Sequence, residues 1–185
     1  MIKERPGYMA EMRVEPAREA DAAQILAVHI AARSTYYRGF VPEKLLAEQN
    51  ERDSELYRGI IRALDRQVRV ARLDGEVIGF LVLGPCYHPE PDPAVTSQLY
   101  QIQVHPEFFR QGVGSALHAE AVALWQAAGV RAARLWVWDF NVTARAFYAK
   151  YGWREDGREL PAGPRIGEHR QLGYRLDLPG LAAGN

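Results

Sequence analysis

Cysteine is almost absent from this chain of 185 residues, in which Cys86 is the single example. One cysteine excludes an internal disulfide and is consistent with a reducing compartment. Cys86 falls in a proline-rich segment, and no motif of a thiol nucleophile surrounds it. The sequence therefore gives no support for cysteine chemistry.

The chain also lacks net charge and long apolar runs. Lys and Arg together number 23, as do Asp and Glu, so no overall field attracts the protein to nucleic acid or to an acidic membrane. No uncharged apolar run approaches the ~18 residues that can span a bilayer, and the N-terminus lacks the apolar core of a signal peptide. We therefore expect a soluble cytoplasmic protein that acts on a small molecule or a local protein partner, and we predict no metal site.

Internal repeats, low-complexity tracts and a convincing domain boundary are absent too. A chain of this length fits one domain that buries roughly two thirds or more of its unfolded surface. Residues 1–12 mix charge, Pro and Gly without periodicity and are predicted to form an N-terminal extension. We place the folded domain at residues 13–178 and a C-terminal tail at residues 179–185.

Apolar periodicity divides the domain into helices and strands. The predicted elements are, in order, a strand at 13–16, a helix from Asp21 to Thr35, an aromatic linker at 36–42, a broken helical region at 45–64, a hairpin of strands 67–73 and 76–83 around Asp74 and Gly75, a loop at 84–93, a strand at 99–104, a helix from Val113 to Ala128, a strand at 134–138, a helix from Asn141 to Tyr151, and two strands at 153–158 and 169–178.

The stretch from Gln98 to Leu117 combines a strand, a sharp turn and the start of a helix. Pro106 removes a backbone donor and ends the strand. Gly112 and Gly114 let the backbone turn tightly and expose N–H groups where the helix begins. Those N–H groups and the positive end of the helix dipole favour an anion such as phosphate, although a glycine turn without a ligand is the more usual explanation of a bare G-x-G.

Two motifs and the order of the elements make the chain resemble a known family. Residues 109–114 read Phe-Arg-Gln-Gly-Val-Gly, and residues 141–153 read Asn-Val-Thr-Ala-Arg-Ala-Phe-Tyr-Ala-Lys-Tyr-Gly-Trp. Over residues 13–178 the chain resembles the GCN5-related N-acetyltransferase (GNAT) family. It departs from the family pattern at Phe109, where Arg or Gln is usual, and at Trp153, where Phe is usual.

The resemblance implies a mixed α/β (α+β) fold, with a central, mostly antiparallel sheet of about seven strands flanked by about four helices. It implies acetyl-CoA as the acetyl donor, with its pyrophosphate on the glycine turn and its pantetheine arm on a strand that diverges from its neighbour. The donor-binding residues that it implies are Ile102, Gln103, Val104, Phe109, Arg110, Gln111, Gly112, Val113, Gly114, Ser115, Asn141, Phe147 and Tyr148.

The resemblance also implies a catalytic residue. Tyr148 is expected near the cofactor sulfur, where a phenol that stays protonated at neutral pH can donate a proton to the departing thiolate. A core tyrosine beside Phe147 is the alternative interpretation. The expected reaction is direct attack by a primary amine of a small molecule or peptide on acetyl-CoA within a ternary complex.

Several questions stay open at the level of sequence. The general base is a water relay or one of four side chains, because the predicted strand offers amides at Gln98, Gln101 and Gln103. The four candidates are His29, Asp139, Glu168 and His169. The aromatic linker and the loop at 85–93 are expected to shape the acceptor site, but the acceptor is not specified. Homodimers are common in the family, but no pattern here fixes one.

Two other functions compete with this hypothesis. A non-catalytic acyl-CoA-binding or sensing module is the alternative, motivated by Phe109 and by the missing carboxylate on the strand. A Rossmann dinucleotide-binding protein is a weaker option, because Leu117 replaces the third glycine of G-x-G-x-x-G.

Overall fold

The computed structural model describes residues 12–52, 55–161 and 169–179. Its helices and strands are, in chain order, β1 (Arg13–Pro16), α1 (Ala22–Tyr36), α2 (Glu43–Arg52), α3 (Leu56–Arg62), β2 (Gln67–Leu73), β3 (Glu76–Gly84), β4 (Val95–Val104), α4 (Val113–Ala127), β5 (Ala132–Trp138), α5 (Val142–Lys150), β6 (Arg154–Pro161) and β7 (Arg170–Asp177). The proposed extension and tail fall outside the described residues except for Met12 and Pro179, so those boundaries stay predictions.

One sheet of seven strands organises the described part of the chain, in the order β1-β2-β3-β4-β5-β7-β6. Neighbouring strands are antiparallel except for β4 and β5, which are parallel. This confirms the expected mixed, mostly antiparallel sheet. The described residues form five α-helices, because the predicted broken helical region is divided into α2 and α3.

The predicted hairpin joins β2 to β3. Asp74 has φ 49° and Gly75 has φ 86°, and Leu73 is paired with Glu76 across the turn. Left-handed dihedrals at both central residues are those of the two-residue turn that matches the twist of the flanking strands. The hairpin is thereby confirmed.

The two faces of the sheet bury separate apolar clusters. One cluster packs beneath α4 and α5 around Leu117, Leu135 and Trp153. The other packs beneath α1 and α3 around Ile25, Tyr57 and Phe80. Full burial of an aliphatic or aromatic side chain contributes about 1.5–3 kcal/mol, so both clusters hold their helices firmly against the sheet.

Candidate active site

The central feature of the site is a divergence of the two parallel strands. Pairing between β4 and β5 begins at Val95 with Ala132 and ends at Leu99 with Leu135, although both strands continue beyond that point. β5 stays paired to β7 as far as Trp138. Residues 100–104 of β4 therefore leave one backbone edge open towards β5, and the predicted Ile102, Gln103 and Val104 lie on this open segment.

A β-bulge marks the point of divergence. Leu83 of β3 is paired with Leu99 and Val82 with Gln101, so Tyr100 is an extra residue in β4. A bulge bends its strand and increases the local twist. The bend falls immediately after the last pair between β4 and β5, which explains why the strands separate there.

The turn before α4 has the geometry that the glycines predicted. Arg110 has φ 62° and Gly112 has φ 85°. The first bond within α4 runs from the Ala116 N–H to the Gly112 carbonyl at 3.0 Å. The N–H groups of residues 113–115 find no acceptor among the described residues, and they lie at the positive end of the helix dipole. This arrangement fits a phosphate group.

Phe109, Arg110 and Gln111 are exposed, whereas the side chain of Val113 is buried in the core. Phe109 is 43% exposed, so it is not a core residue. Gln111 donates its side-chain N–H to the Glu107 carbonyl at 2.7 Å and thereby closes the turn. At Gly114, an added Cβ would lie 3.5 Å from the Phe147 ring, so Phe147 borders the first turn of α4.

The second motif forms α5 and its two ends. Asn141 caps the helix, because its side-chain oxygen accepts from the Ala144 N–H at 3.1 Å, as the sequence predicted. Gly152, with φ 84°, follows the helix in the predicted left-handed conformation. Tyr148 is buried between the rings of Phe147 and Trp153, whose centroids lie 5.5 and 6.0 Å away.

Burial controls the protonation of Tyr148. Removal from water raises the pKa of its phenol well above the ordinary value of 10.0. None of the described residues accepts a hydrogen bond from its hydroxyl. Tyr148 is therefore a protonated donor whose hydroxyl is available to a bound group.

Sequence reasoning missed Tyr36 as a site residue. Tyr36 is the last residue of α1. Its hydroxyl oxygen accepts a hydrogen bond from Gln103 Nε2 at 3.1 Å. Burial raises the pKa of Tyr36, and the nearby phenols of Tyr37 and Tyr148 raise it further. Tyr36 and Tyr148 thus approach the opening from opposite faces of the sheet. The sequence marked the aromatic linker, but helical periodicity alone could not show that Tyr36 belongs to the helix and reaches β4.

His29, one of the candidate bases, is buried in a hydrogen-bonded chain of side chains. It is 4% exposed, and Arg33 Nε donates to its Nε2 at 3.1 Å. The other ring nitrogen, Nδ1, is in contact with the Tyr57 hydroxyl. Tyr57 in turn donates to Gln101 Oε1 at 2.9 Å. This buried chain orients the Gln101 amide, and it places His29 behind Tyr57 rather than in the opening.

Two other candidate bases lie together. His169 Nδ1 and Asp139 Oδ1 are 3.1 Å apart, and Asp139 also accepts from the Phe140 N–H at 2.8 Å. Both side chains are partly exposed. A carboxylate that fixes Nδ1 leaves Nε2 of the imidazole free for proton transfer. Glu168, the fourth candidate, lies outside the described residues.

The aromatic linker packs across the end of β5. Trp138 Nε1 donates to the Tyr37 hydroxyl at 2.7 Å, and Phe40 stacks on Phe140 with centroids 4.4 Å apart. The Phe140 ring also meets His169 edge to face at 4.8 Å. The linker therefore covers the Asp139–His169 pair and forms one side of the opening.

Comparison with known proteins assigns the family. Residues 29–153 match the model of the acetyltransferase (GNAT) family. The chain belongs to the GNAT acetyltransferase family. It is 27% identical over 139 residues to an uncharacterized N-acetyltransferase of Archaeoglobus fulgidus, covering 75% of this chain and 90% of that protein.

Solved structures show the same fold. The crystal structure of the PaiA N-acetyltransferase from Thermoplasma acidophilum in complex with coenzyme A has a TM-score of 0.72 at 20% identity, covering 88% of this GNAT chain and 97% of that one. The ribosomal-protein-S18-alanine N-acetyltransferase from Escherichia coli has a TM-score of 0.63 at 19% identity, covering 94% and 97%. At this level of identity the similarity establishes the fold alone.

The family and the enzyme class predicted from sequence are confirmed, and this protein is an acetyltransferase. A Rossmann fold is wrong, because that fold needs a parallel sheet and all neighbouring strands here are antiparallel except β4 and β5. Among the described residues, no helix has the length and apolar character to cross a bilayer. The roles of the individual site residues stay predictions.

Proposed function

We propose that the protein transfers an acetyl group from acetyl-CoA to the primary amine of a small molecule or peptide, by direct attack within a ternary complex. The divergence of β4 and β5 beside the free N-terminus of α4 supports this proposal most strongly. The open edge of β4 is followed along the chain by the anion site at the start of α4. This order suits a donor that has an amide-containing arm and a pyrophosphate.

The donor would be held by residues from three elements. The open segment supplies Ile102, Gln103 and Val104, and the turn and the start of α4 supply residues 109–115. Helix α5 supplies Phe147 and Tyr148, and Asn141 is its N-cap. Acetyl-CoA contributes a thioester, whose acetyl group moves to the amine while the sulfur leaves with CoA. An N–H of the open segment is suited to stabilise negative charge on the carbonyl oxygen, because the donor is fixed by the strand before the reaction starts.

Tyr148 is proposed as the general acid. Its buried phenol stays protonated over the working pH range, because burial raises its pKa. Donation of that proton to the departing sulfur gives the neutral thiol, and Tyr148 then regains a proton from water.

The Asp139–His169 pair is proposed as the base. The amine proton passes through water to His169 Nε2, while Asp139 holds Nδ1 and stabilises the imidazolium that forms. His169 is the most suitable of the described candidates because Asp139 fixes its tautomer, whereas His29 is buried behind Tyr57.

Thiol release from acetyl-CoA across a panel of primary amines tests the function. Tyr148→Phe should lower kcat about 100-fold or more, which is the usual contribution of a general acid, and should leave the Kd for acetyl-CoA unchanged. Tyr174→Phe is a matched control, because Tyr174 is also a buried tyrosine but its hydroxyl accepts from Arg145 of α5 and donates to Glu155 of β6. It should retain full kcat.

Two outcomes would contradict the proposal. Acetyl-CoA binding by calorimetry without amine-dependent thiol release over the whole panel would favour a non-catalytic binding module. Unchanged turnover in Tyr148→Phe would remove Tyr148 from the mechanism. For the base, His169→Gln should lower kcat about 100-fold, and Asp139→Asn should lower it by a smaller factor because the imidazole is then no longer held in place. Unchanged kcat in both variants would exclude the pair.

A further inference from the structure

A cavity of about 250 Å³ lies where β4 and β5 separate. Leu99, the last residue of β4 paired with β5, and Tyr100, the bulged residue, form part of its wall. Trp136, the first residue of β5 beyond that pairing, forms another part. The complete lining is Tyr87, His88, Gln98, Leu99, Tyr100, Trp136, Leu160 and Gln171. The cavity thus adjoins the inner end of the open segment on β4.

Rings dominate the lining of this cavity. Tyr87, His88, Tyr100 and Trp136 contribute rings, and Leu99 and Leu160 contribute aliphatic side chains. Tyr100 donates its hydroxyl to the Pro85 carbonyl at 2.6 Å, so the polar end of that residue is already bonded. The lining therefore presents rings and aliphatic side chains beside polar atoms.

The lining carries several polar groups, which are two side-chain amides, the Tyr87 hydroxyl, the His88 imidazole and the Trp136 indole N–H. Gln98 Oε1 accepts from the Tyr87 N–H at 3.2 Å, which leaves the amide N–H groups of Gln98 as donors. Gln171 supplies a second amide. None of the lining residues carries a carboxylate, an ammonium or a guanidinium group. The cavity therefore lacks the carboxylates that would bind an acceptor with several positive charges.

Cations already contact the rings of Trp136 and Tyr100. The guanidinium of Arg134 lies 5.1 Å from the Trp136 ring and that of Arg158 lies 5.4 Å from it, while Arg66 lies 4.7 Å from the Tyr100 ring. A ring that already binds a cation attracts a second cation less strongly, because the two positive charges repel each other. The rings are therefore better suited to an uncharged ring or hydrocarbon than to a second ammonium group.

We propose that this cavity holds the aromatic body of the acceptor, and that the acceptor class is a primary arylalkylamine with a single amino group. The proposal rests on the function given above. A cavity of roughly 150 Å³ is enough to bind benzene, so about 250 Å³ has room for one ring and a short alkyl chain. The chain would carry the amine from the ring towards the open segment of β4.

Competition between amines tests the acceptor class. The ratio of kcat/KM for 2-phenylethylamine to that for a linear diamine such as 1,4-diaminobutane should exceed about tenfold. A ratio below one would overturn the proposal. Linear monoamines with the chain length of the diamine should have kcat/KM values between those of the two amines, since they fill less of the cavity than 2-phenylethylamine does.

A filling substitution tests the cavity itself. Leu160→Trp should reduce the volume and lower kcat/KM for 2-phenylethylamine at least tenfold, while the value for methylamine stays within twofold of the wild type. Leu64→Trp is the control, because Leu64 is fully exposed and does not line the cavity. Equal losses for both amines in Leu160→Trp would overturn the proposal. The proposal would also be overturned if Leu160→Trp lowered kcat/KM only for acyl-CoA donors with a chain longer than acetyl, because the cavity would then hold the acyl chain.

Direct binding separates this proposal from the proposed function. If no amine supports thiol release, the function fails, and calorimetry of 2-phenylethylamine on the CoA-saturated protein still tests the cavity. Saturable binding that Leu160→Trp weakens at least tenfold and Leu64→Trp does not would support it. Absence of binding, or equal binding in both variants, would overturn it.

Discussion

Gln103 Nε2 donates a hydrogen bond to the hydroxyl oxygen of Tyr36 at 3.1 Å, and this contact joins the end of α1 to the open segment of β4. Because the amide donates, the phenolic proton of Tyr36 remains available to another acceptor. Tyr36 and Gln103 come from parts of the chain that are 67 residues apart. The helix that carries the aromatic linker is therefore fixed to the strand on which the donor is proposed to lie.

The first prediction separates Tyr36 from Tyr148. Tyr36→Phe should lower kcat/KM for the amine only about three- to tenfold, since it removes one hydrogen bond worth about 0.5–1.5 kcal/mol and no general acid. Steady-state kinetics of Tyr36→Phe and Tyr148→Phe under the same conditions provide the measurement. A 100-fold loss of kcat/KM in Tyr36→Phe with a small loss in Tyr148→Phe would assign the role of general acid to Tyr36 instead of Tyr148.

The second prediction concerns the turn before α4. Gly112→Ala should raise the KM for acetyl-CoA at least fivefold, because a Cβ at φ 85° strains the turn that presents the N–H groups. Gly129→Ala is the matched control, with φ 68° and open space around the added Cβ. Both should lose about 1 kcal/mol of stability. The idea fails if the two variants have the same KM.

The third prediction concerns the pH dependence of stability. Burial lowers the pKa of His118 from 6.5 to about 4, and its Nε2 accepts from Trp153 Nε1 at 2.9 Å. Between these pH values the unfolded chain binds the proton and the folded chain does not, so stability falls as the pH drops from about 6.5 towards 4. The contribution of His118 should be about 2 kcal/mol between pH 7.5 and pH 5.

Urea unfolding at the two pH values measures this effect. His118→Gln keeps a hydrogen-bond acceptor for Trp153 but does not titrate, so its free energy of unfolding should fall less than that of the wild type on acidification. An equal fall in both proteins would show that other groups cause the acid sensitivity.

The fourth prediction concerns the ion pairs behind Trp136. Glu90 contacts Arg134, and its other oxygen lies 2.7 Å from Arg158 Nη1. The Glu90 side chain is 7% exposed and that of Arg134 is 3% exposed. Glu90→Gln should lower the free energy of unfolding by about 3 kcal/mol, because it leaves a buried guanidinium undercompensated.

The exposed pair of Glu19 and Arg62 provides the comparison, with side chains 51% and 65% exposed. Glu19→Gln should leave the free energy of unfolding unchanged within experimental error, because solvent screens the pair. Equal midpoints of urea unfolding for Glu19→Gln and Glu90→Gln would contradict the prediction.

Local signals in the sequence account for the elements that were predicted correctly. The turn at Asp74 and Gly75, the left-handed Gly112 and the cap at Asn141 each depend on one or two residues whose dihedrals or side-chain oxygen determine the local geometry. The resemblance to the family then implied a mostly antiparallel sheet of about seven strands, as observed. These features needed no knowledge of distant contacts.

Element boundaries were less accurate for identifiable reasons. β4 begins at Val95, four residues before the predicted strand, because Val95 and Ser97 pair with Ala132 and Ala133 of the distant β5. β6 extends to Pro161 rather than ending at Arg158. It is the edge strand of the sheet, where a proline removes no ladder bond that the sheet needs.

The contacts that the sequence could not predict connect distant elements. The chain from His29 through Tyr57 to Gln101 joins α1, α3 and β4, and no local pattern records such pairings. The same holds for the cavity, whose lining comes from the loop after β3 and from β4, β5, β6 and β7. Side-chain type identified Asp139 and His169 as candidates, but the fold was needed to show that they form a pair.

The short parallel contact between β4 and β5 divides the sheet into two antiparallel blocks. One block contains β1, β2, β3 and β4, and the other contains β5, β7 and β6. Among the described residues, backbone hydrogen bonds join the blocks only between Ala94 and Leu99 of the first block and β5, and beyond Leu99 the blocks separate. A donor bound along the open segment would take the place of a missing strand and tie the blocks together. Release of CoA would then break part of the structure that holds the molecule rigid, so the free enzyme should be the more deformable form, with faster amide exchange at residues 100–104.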